Sequence, residues 1–265
     1  MPVLLATTAE GLATLTIDRP QRRNALDEPH WAELRDHARS LETARAVIVT
    51  GSAGHFCAGM DLSPQNPLLQ KLLPSVLRQD ERPLHELLLW LKDCVQAIAD
   101  LPVLTIAAIE GACAGGGLEI ALACDLRVAA ADAHLSLPEA RLGMIPDVGG
   151  TARLTRLVGP AFAADLICTG RQVPAEEAQR MGLVQHLTPP GGALARAQEL
   201  AKLALKSAPT ASRLALNVAR LAPDLGLEEA LSLETRAGVL ALISGEAVEG
   251  IEAFNQKRPP RWSGR

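Results

Sequence analysis

Residues 103–125 read VLTIAAIEGACAGGGLEIALACD. The first seven, directly after Pro102, are apolar or β-branched, which predicts a short strand buried on both faces. Gly115, Gly116 and Gly117 make a turn, and the apolar run from Gly116 to Cys124 is long enough for two turns of helix. A helix that starts on glycines leaves N–H groups without partners in its first turn, and the helix dipole adds partial positive charge there. Such an end holds an anion, or an oxygen that becomes anionic during a reaction. The spacing is not GxGxxG and no Gly-Lys-Ser/Thr follows, which argues against a dinucleotide site or a P-loop. Glu119 stands in the first turn of this helix beside Leu118, Ile120, Ala121, Leu122 and Ala123. Dipole complementation explains an exposed glutamate there. A glutamate in a helix that is apolar all round is buried, and that calls for another reason.

On the N-terminal side, residues 3–7 and 12–17 read as strands around the turn at Glu10-Gly11. Asp27 caps a helix with Pro29 in its first turn, running to about Leu41. Residues 45–50 are a buried strand and 51–62 a small-residue loop. Residues 63–82, with Pro64, Pro67 and Pro74 among mixed charges, read as a mobile or irregular surface segment, and 84–100 as a helix. On the C-terminal side, 126–130 and 134–137 are strands and 138–150 a loop. Helices are predicted at 150–157, 160–168, 174–181, 191–206, 209–221, 227–243 and 245–256, with a strand at 183–186. The pattern predicts an α/β fold with a helical C-terminal third. Pro189-Pro190-Gly191-Gly192 divides a core, residues 1–190, from a helical region, residues 191–265.

The 265 residues are 48% hydrophobic and 21% charged, which excludes disorder as the main state. A formal net charge of −4, with 3 Phe, 3 Trp and no Tyr, disfavours a nucleic-acid binder. The five cysteines form no CxxC pair, which predicts free thiols in a reducing compartment and no zinc site. No basic segment precedes the first apolar runs, and no apolar stretch reaches about 20 residues, so neither a signal peptide nor a membrane span is expected. The expected location is the cytoplasm.

Other residues that carry chemistry are fewer. Glu139 follows Pro138 in a glycine- and proline-bearing loop, and Asp147 precedes Val-Gly-Gly, a turn or helix cap. His55 and Cys57 are two apart but have no third group to orient them. Asp125 reads as a turn-former, and no Ser stands in a GxSxG elbow.

Five segments, TIDRPQRRNAL (16–26), AVIVTGSAGHFCAGMDL (46–62), PVLTIAAIEGACAGGGLEIALACDLRVAA (102–130), LSLPEARLGMIPDVGGTARLTRLVG (135–159) and EGIEAFNQKRPP (249–260), resemble in order the enoyl-CoA hydratase/isomerase, or crotonase, superfamily. The resemblance implies a crotonase-like spiral of ββα units with a C-terminal helical trimerisation region, assembled as a homotrimer or dimer of trimers. It implies acyl-CoA thioester substrates, no metal, and no cofactor beyond the coenzyme A of the substrate. The thioester oxygen falls to the N–H groups of Met60 and Gly116. Glu119 and Glu139 match two glutamates that hold one water, with Glu119 deprotonating it and Glu139 supplying a proton to C2. The implied substrate-contacting positions are Arg22, Arg23, Ala25, Ala58, Asp61, Leu62, Gly115, Pro138, Asp147 and Lys257.

Three positions depart from the family pattern. Met60 replaces a common Ala, Asp147 stands where hydratases often have Gly, and Gly238 replaces an aromatic residue that helps hold the CoA adenine in some relatives. The expected reaction is reversible hydration of a trans-2-enoyl-CoA to a 3-hydroxyacyl-CoA. The alternatives are a double-bond isomerase using Asp147 and Glu139, and a non-catalytic acyl-CoA-binding protein.

Overall fold

The computed structural model describes residues 3–41 and 43–262. Strands β1 (Val3–Thr7) and β2 (Leu12–Ile17) pair antiparallel around the predicted turn, and α1 (Glu28–Arg39) starts at Asp27, whose side chain accepts the N–H of His30. Strand β3 (Ala46–Gly51) lies parallel to β2. From there the chain winds in repeated units. Strand β4 (Leu104–Ile109) runs into β5 (Ala112–Ala114) and then α4 (Gly116–Ala123). Strand β6 (Leu126–Ala130) runs into β7 (His134–Ser136), a short 3-10 turn at Glu139–Leu142, and α5 (Gly150–Thr169). Each unit adds one strand to a large sheet and one to a small sheet before its helix.

With β8 (Val173–Pro174), α6 (Ala175–Arg180) and β9 (His186–Thr188), the large sheet has the order β1-β2-β3-β4-β6-β9 and the small one β5-β7-β8. Beyond β2 the large sheet is parallel throughout. Beside the small sheet, the backbone of Cys57 forms a parallel β-bridge with that of Cys113, both thiols free, and Cys113 is opposite Leu135. The loop after β3 is therefore an earlier turn of the same spiral. Residues three or four beyond the bridge, Met60, Gly116 and Glu139, leave the small sheet at its same end.

Both faces of the large sheet are covered, as the continuous apolar runs predicted. Val47, Val49, Ala107 and Ile109 face the main core with Trp31 and Phe56, and their neighbours Ala46, Ile48, Ile106 and Ala108 face the other side. That second side is closed by α7 (Ala193–Leu205) through Ala193, Ala197 and Ala201, an i, i+4, i+8 stripe small enough for close approach to the strands. The apolar core thus continues past Pro189-Pro190 into α7. The buried guanidinium of Arg127 fixes the far end of α4, donating to the carbonyls of Cys124 at 2.8 Å, Ala121 at 3.2 Å and Leu183 at 2.7 Å.

Residues 63–82 correct the expected irregular segment. Helix α2 (Pro67–Arg78) is capped by Asn66, which accepts the Leu68 N–H at 3.1 Å, and α3 (Glu81–Ala99) begins before the predicted residue 84. The prolines misled because Pro67 lies in the first turn of α2, where the missing N–H has no helical partner to lose, and because the helix carries Pro74 in its interior. The strand expected at 183–186 forms instead at His186–Thr188, and the two-to-three-residue strands β5 and β8 were not foreseen. The predicted break between two helices falls at Gly159 inside α5, with φ +81°.

Helix α8 (Pro209–Leu221) is tied to the core by Arg220, which pairs with Asp125 at 2.7 Å and donates to the carbonyl of Leu101 at 2.8 Å. Helix α9 (Leu227–Ile243) has no buried residue, and α10 (Glu246–Asn255) buries only Ala253. No described helix is long and apolar enough to cross a membrane.

Candidate active site

Three turns of the spiral meet where they leave the small sheet. Leu26 donates its N–H to Gly59 O at 2.7 Å and accepts the Asp61 N–H at 2.8 Å. In this parallel bridge the intervening Met60 turns its own N–H away from Leu26. Gly116 opens α4, so its N–H has no partner within the helix. Among the described residues neither N–H donates to a protein acceptor, and both residues line one cavity. Gly59 lets the two turns close on each other: its φ is +91°, and a Cβ there would lie 2.7 Å from Ala114 O and 3.2 Å from Gly116 N.

Glu119 is 3% exposed. Its Oε1 accepts the N–H of Gly150 at 2.8 Å and of Val148 at 3.0 Å. Burial pushes its pKa up to about 8, the Gly150 and Val148 hydrogen bonds oppose the rise, and the charges of Glu139 and Asp147 add to it. This favours the protonated form of Glu119 near neutral pH, whereas the resemblance assigns it the role of ionised base. Both carboxylate oxygens of Glu139 are buried without a hydrogen-bond partner among the described residues. Burial, then the nearby charge of Asp147, raises the Glu139 pKa as well. Oε1 of Glu139 faces Gly115, where a Cβ would approach it to 3.0 Å, so the second carboxylate sits against the turn that carries Gly116.

The cavity these groups share has a volume of ≈ 130 Å³. One water needs roughly 10–15 Å³ on this measure, which leaves room for a water beside a small acyl group. Trp31 of α1, Leu72 of α2, and Leu88 and Leu91 of α3 form part of the wall. Met60, Leu62, Leu142, Met144, Ile145 and Val148 complete its apolar lining. Asp147 stands at the solvent-exposed edge.

Of the residues expected from sequence, Met60, Gly116, Glu119, Glu139, Ala58, Leu62, Gly115, Pro138 and Asp147 all line this cavity. The others do not. Ala25 is buried and gives its carbonyl to Arg19 at 2.9 Å. Asp61 faces Arg19 at 2.7 Å and accepts the Ser63 N–H at 2.9 Å. Burial disfavours its charge, but these hydrogen bonds and the guanidinium hold its pKa below the usual value, so it braces the loop. Arg22 and Arg23 are exposed outside the cavity lining, as is Lys257 beyond α10. No Cys57–His55 dyad forms: His55 Nδ1 accepts the Ala112 N–H at 3.2 Å, and burial pushes the Cys57 thiol up to about 12.

Sequence reasoning missed Trp31, the peptide donors of Val148 and Gly150, and Arg153. Arg153 donates to Val148 O at 3.2 Å and to Gln96 Oε1 at 2.7 Å, bracing the turn whose N–H groups hold Glu119. The buried spacing of Trp31, Leu34 and Ala38 marks an inner helix face, but nothing local places that face on a site.

Comparison with known proteins bears on the chain as a whole. The sequence model described as enoyl-CoA hydratase/isomerase matches residues 7–265. The chain belongs to the enoyl-CoA hydratase/isomerase family. It is 34% identical to the 2,3-dehydroadipyl-CoA hydratase of Escherichia coli over 268 residues, covering 100% of both chains. It is 35% identical to the mitochondrial methylglutaconyl-CoA hydratase of Mus musculus over 266 residues, 96% of this chain and 80% of that protein. The crystal structure of an enoyl-CoA hydratase from Bacillus anthracis superimposes with a TM-score of 0.89 at 31% identity, covering 100% of both chains. The spiral of ββα units described above is thus the fold of this enoyl-CoA hydratase/isomerase family.

Proposed function

We propose that this family member hydrates trans-2-enoyl-CoA thioesters, reversibly, to 3-hydroxyacyl-CoA. The observation that carries the proposal is that Glu119 and Glu139 face one small apolar cavity, Glu119 fixed through Oε1 and Glu139 with both oxygens free. Two carboxyls in such a site share a proton, because ionising both is costly. As the water oxygen bonds to C3, one carboxylate takes a proton from the water and the other carboxyl gives one to C2. Burial raises the pKa of both carboxyls, which supports the retention of one proton by the pair. Electrons displaced from the double bond collect on the thioester oxygen. The N–H groups of Met60 and Gly116 are the donors for it, each worth roughly 2.7–4 kcal/mol in a dry site. The reaction needs no cofactor beyond the CoA of its substrate.

Arg22, Arg23 and Lys257, exposed outside the cavity, are the proposed contacts for the CoA phosphates. Lys257 reaches them from a neighbouring subunit. The apolar faces of α9 and α10, including Leu242, Ile243 and Phe254 at 68%, 73% and 84% exposure, support a trimer or a dimer of trimers. Its expected compartment is the cytoplasm.

One observation favours a second activity. Asp147 lines the same cavity as Glu139, a pair able to move a proton between carbons of an enoyl- or dienoyl-CoA. Crotonyl-CoA and a 3,5-dienoyl-CoA, followed at the thioester enone absorbance with wild type and Asp147→Ala, separate the two. Hydration predicts faster crotonyl-CoA turnover, held within about tenfold in the variant. Faster dienoyl turnover that collapses in Asp147→Ala assigns the protein as an isomerase instead.

A further inference from the structure

The lining of the cavity bears on which acyl groups it accepts. Its ionisable side chains are Glu119, Glu139 and Asp147, all acids. No lysine, arginine or histidine lines it among the described residues. The nearby cations are engaged elsewhere: Arg153 with the Val148 carbonyl and Gln96, and Arg19 with Asp27 and Asp61. The rest of the wall, contributed by α1, α2, α3 and the 142–145 segment, is uncharged: hydrocarbon, thioether and the Trp31 indole, whose buried N–H has no protein partner among the described residues.

We propose that the acyl group of the substrate is neutral and aliphatic, and that the site rejects an acyl chain ending in a second carboxylate. The proposal rests on the cavity being an acyl-CoA thioester site, and it adds the class of acyl group. A terminal carboxylate entering this cavity loses its water, finds no cation, and meets three acidic groups. A neutral chain of equal length gives up only apolar hydration and gains contact with Leu72, Leu88, Leu91 and Met144. The discrimination comes from repulsion and lack of a partner, not from better packing of the favoured chain.

Hexanoyl-CoA and adipoyl-CoA, both six-carbon saturated thioesters, differ in that one end group. Their affinities for the intact protein, measured by calorimetric titration, test the proposal without requiring turnover. The expected result is that adipoyl-CoA binds at least about tenfold more weakly, a free-energy difference of about 1.4 kcal/mol. A smaller ratio overturns the proposal. Leu72→Arg places a cation on the α2 wall, where the long stem can still line the cavity. Met144→Lys does the same from the 142–145 segment and serves if the first variant folds poorly. Either is expected to narrow the ratio, and an unchanged ratio in a folded variant overturns the assignment to charge. Failure of both thioesters to bind overturns the acyl-CoA site and the proposal with it. Selective binding without hydration of the matching trans-2-hexenoyl-CoA rejects the hydratase reading alone and supports the acyl-group assignment.

Discussion

Glu119 Oε1 accepts the Gly150 N–H at 2.8 Å, so a carboxylate in the first turn of α4 is clamped by the first residue of α5. The clamp requires glycine. A Cβ at position 150 would lie 2.7 Å from Glu119 Oε1 and 2.8 Å from its Cγ. Gly150→Ala is expected to displace the carboxyl and lower kcat by about tenfold or more, since misplacing a reacting group is costly. Affinity for a saturated acyl-CoA should hold, because Met60 and Gly116 are untouched. Steady-state kinetics and titration check this. A variant of unchanged kcat shows the clamp to be dispensable.

The two glutamates act on one water in the proposed reaction. Glu119→Gln and Glu139→Gln should each lower kcat by roughly a hundredfold or more, with the double variant losing far less than the product of the two. Independent, multiplying losses measured on crotonyl-CoA would show that the carboxyls serve separate steps.

The raised Glu119 pKa has a thermodynamic signature with a definite sign. The native state holds this proton up to about pH 8, while the unfolded chain releases it near 4.5. Between those values the folded protein binds more protons, so this group's contribution falls as pH rises and levels off above about 8. Glu119→Gln keeps a carbonyl for Gly150 and Val148 without the charge. It should therefore gain stability relative to wild type between pH 5 and pH 9, on the order of a few kcal/mol. Urea unfolding at both pH values measures the difference, and a gap that does not change with pH contradicts the assignment.

The exposed leucines of α9 predict association. Sedimentation equilibrium at micromolar concentration should give at least three subunits. Leu242→Glu, on a residue 68% exposed in the single chain, should shift the protein toward monomer. A wild-type monomer with full activity rules out the proposed role of Lys257 from a neighbour.

Much of the site was legible where its chemistry is local. Three glycines ahead of an apolar helix announced orphan N–H groups, and Glu119 stood out because every neighbour was apolar. Position 139 gave a weaker signal, since a loop glutamate reads the same whether buried or solvated. The family pattern, not the local sequence, singled it out. The donors of Val148 and Gly150 were illegible because they reach Glu119 across 29 and 31 residues. Pro67 read as a breaker because its first-turn placement depends on where the helix starts. Asp61 carried a family motif, yet its position beside Arg19 follows from folding of the 19–27 loop, held by buried Asn24 through the Ser52 and His55 carbonyls at 2.9 and 2.7 Å.

The shared register of Cys57, Cys113 and Leu135 separates what is constant from what is free to vary. Met60 and Gly116 occupy equivalent places on successive turns, so their mutual position depends on short backbone pairing alone. The excursion between those turns, which carries α2 and α3, begins and ends on the scaffold without entering that pairing. Its cavity-facing residues Leu72 and Leu88 can be exchanged, remaking the wall proposed to meet the acyl chain, while the paired peptides stay in place. Selectivity can thus diversify without rebuilding the paired peptides proposed to hold the thioester oxygen.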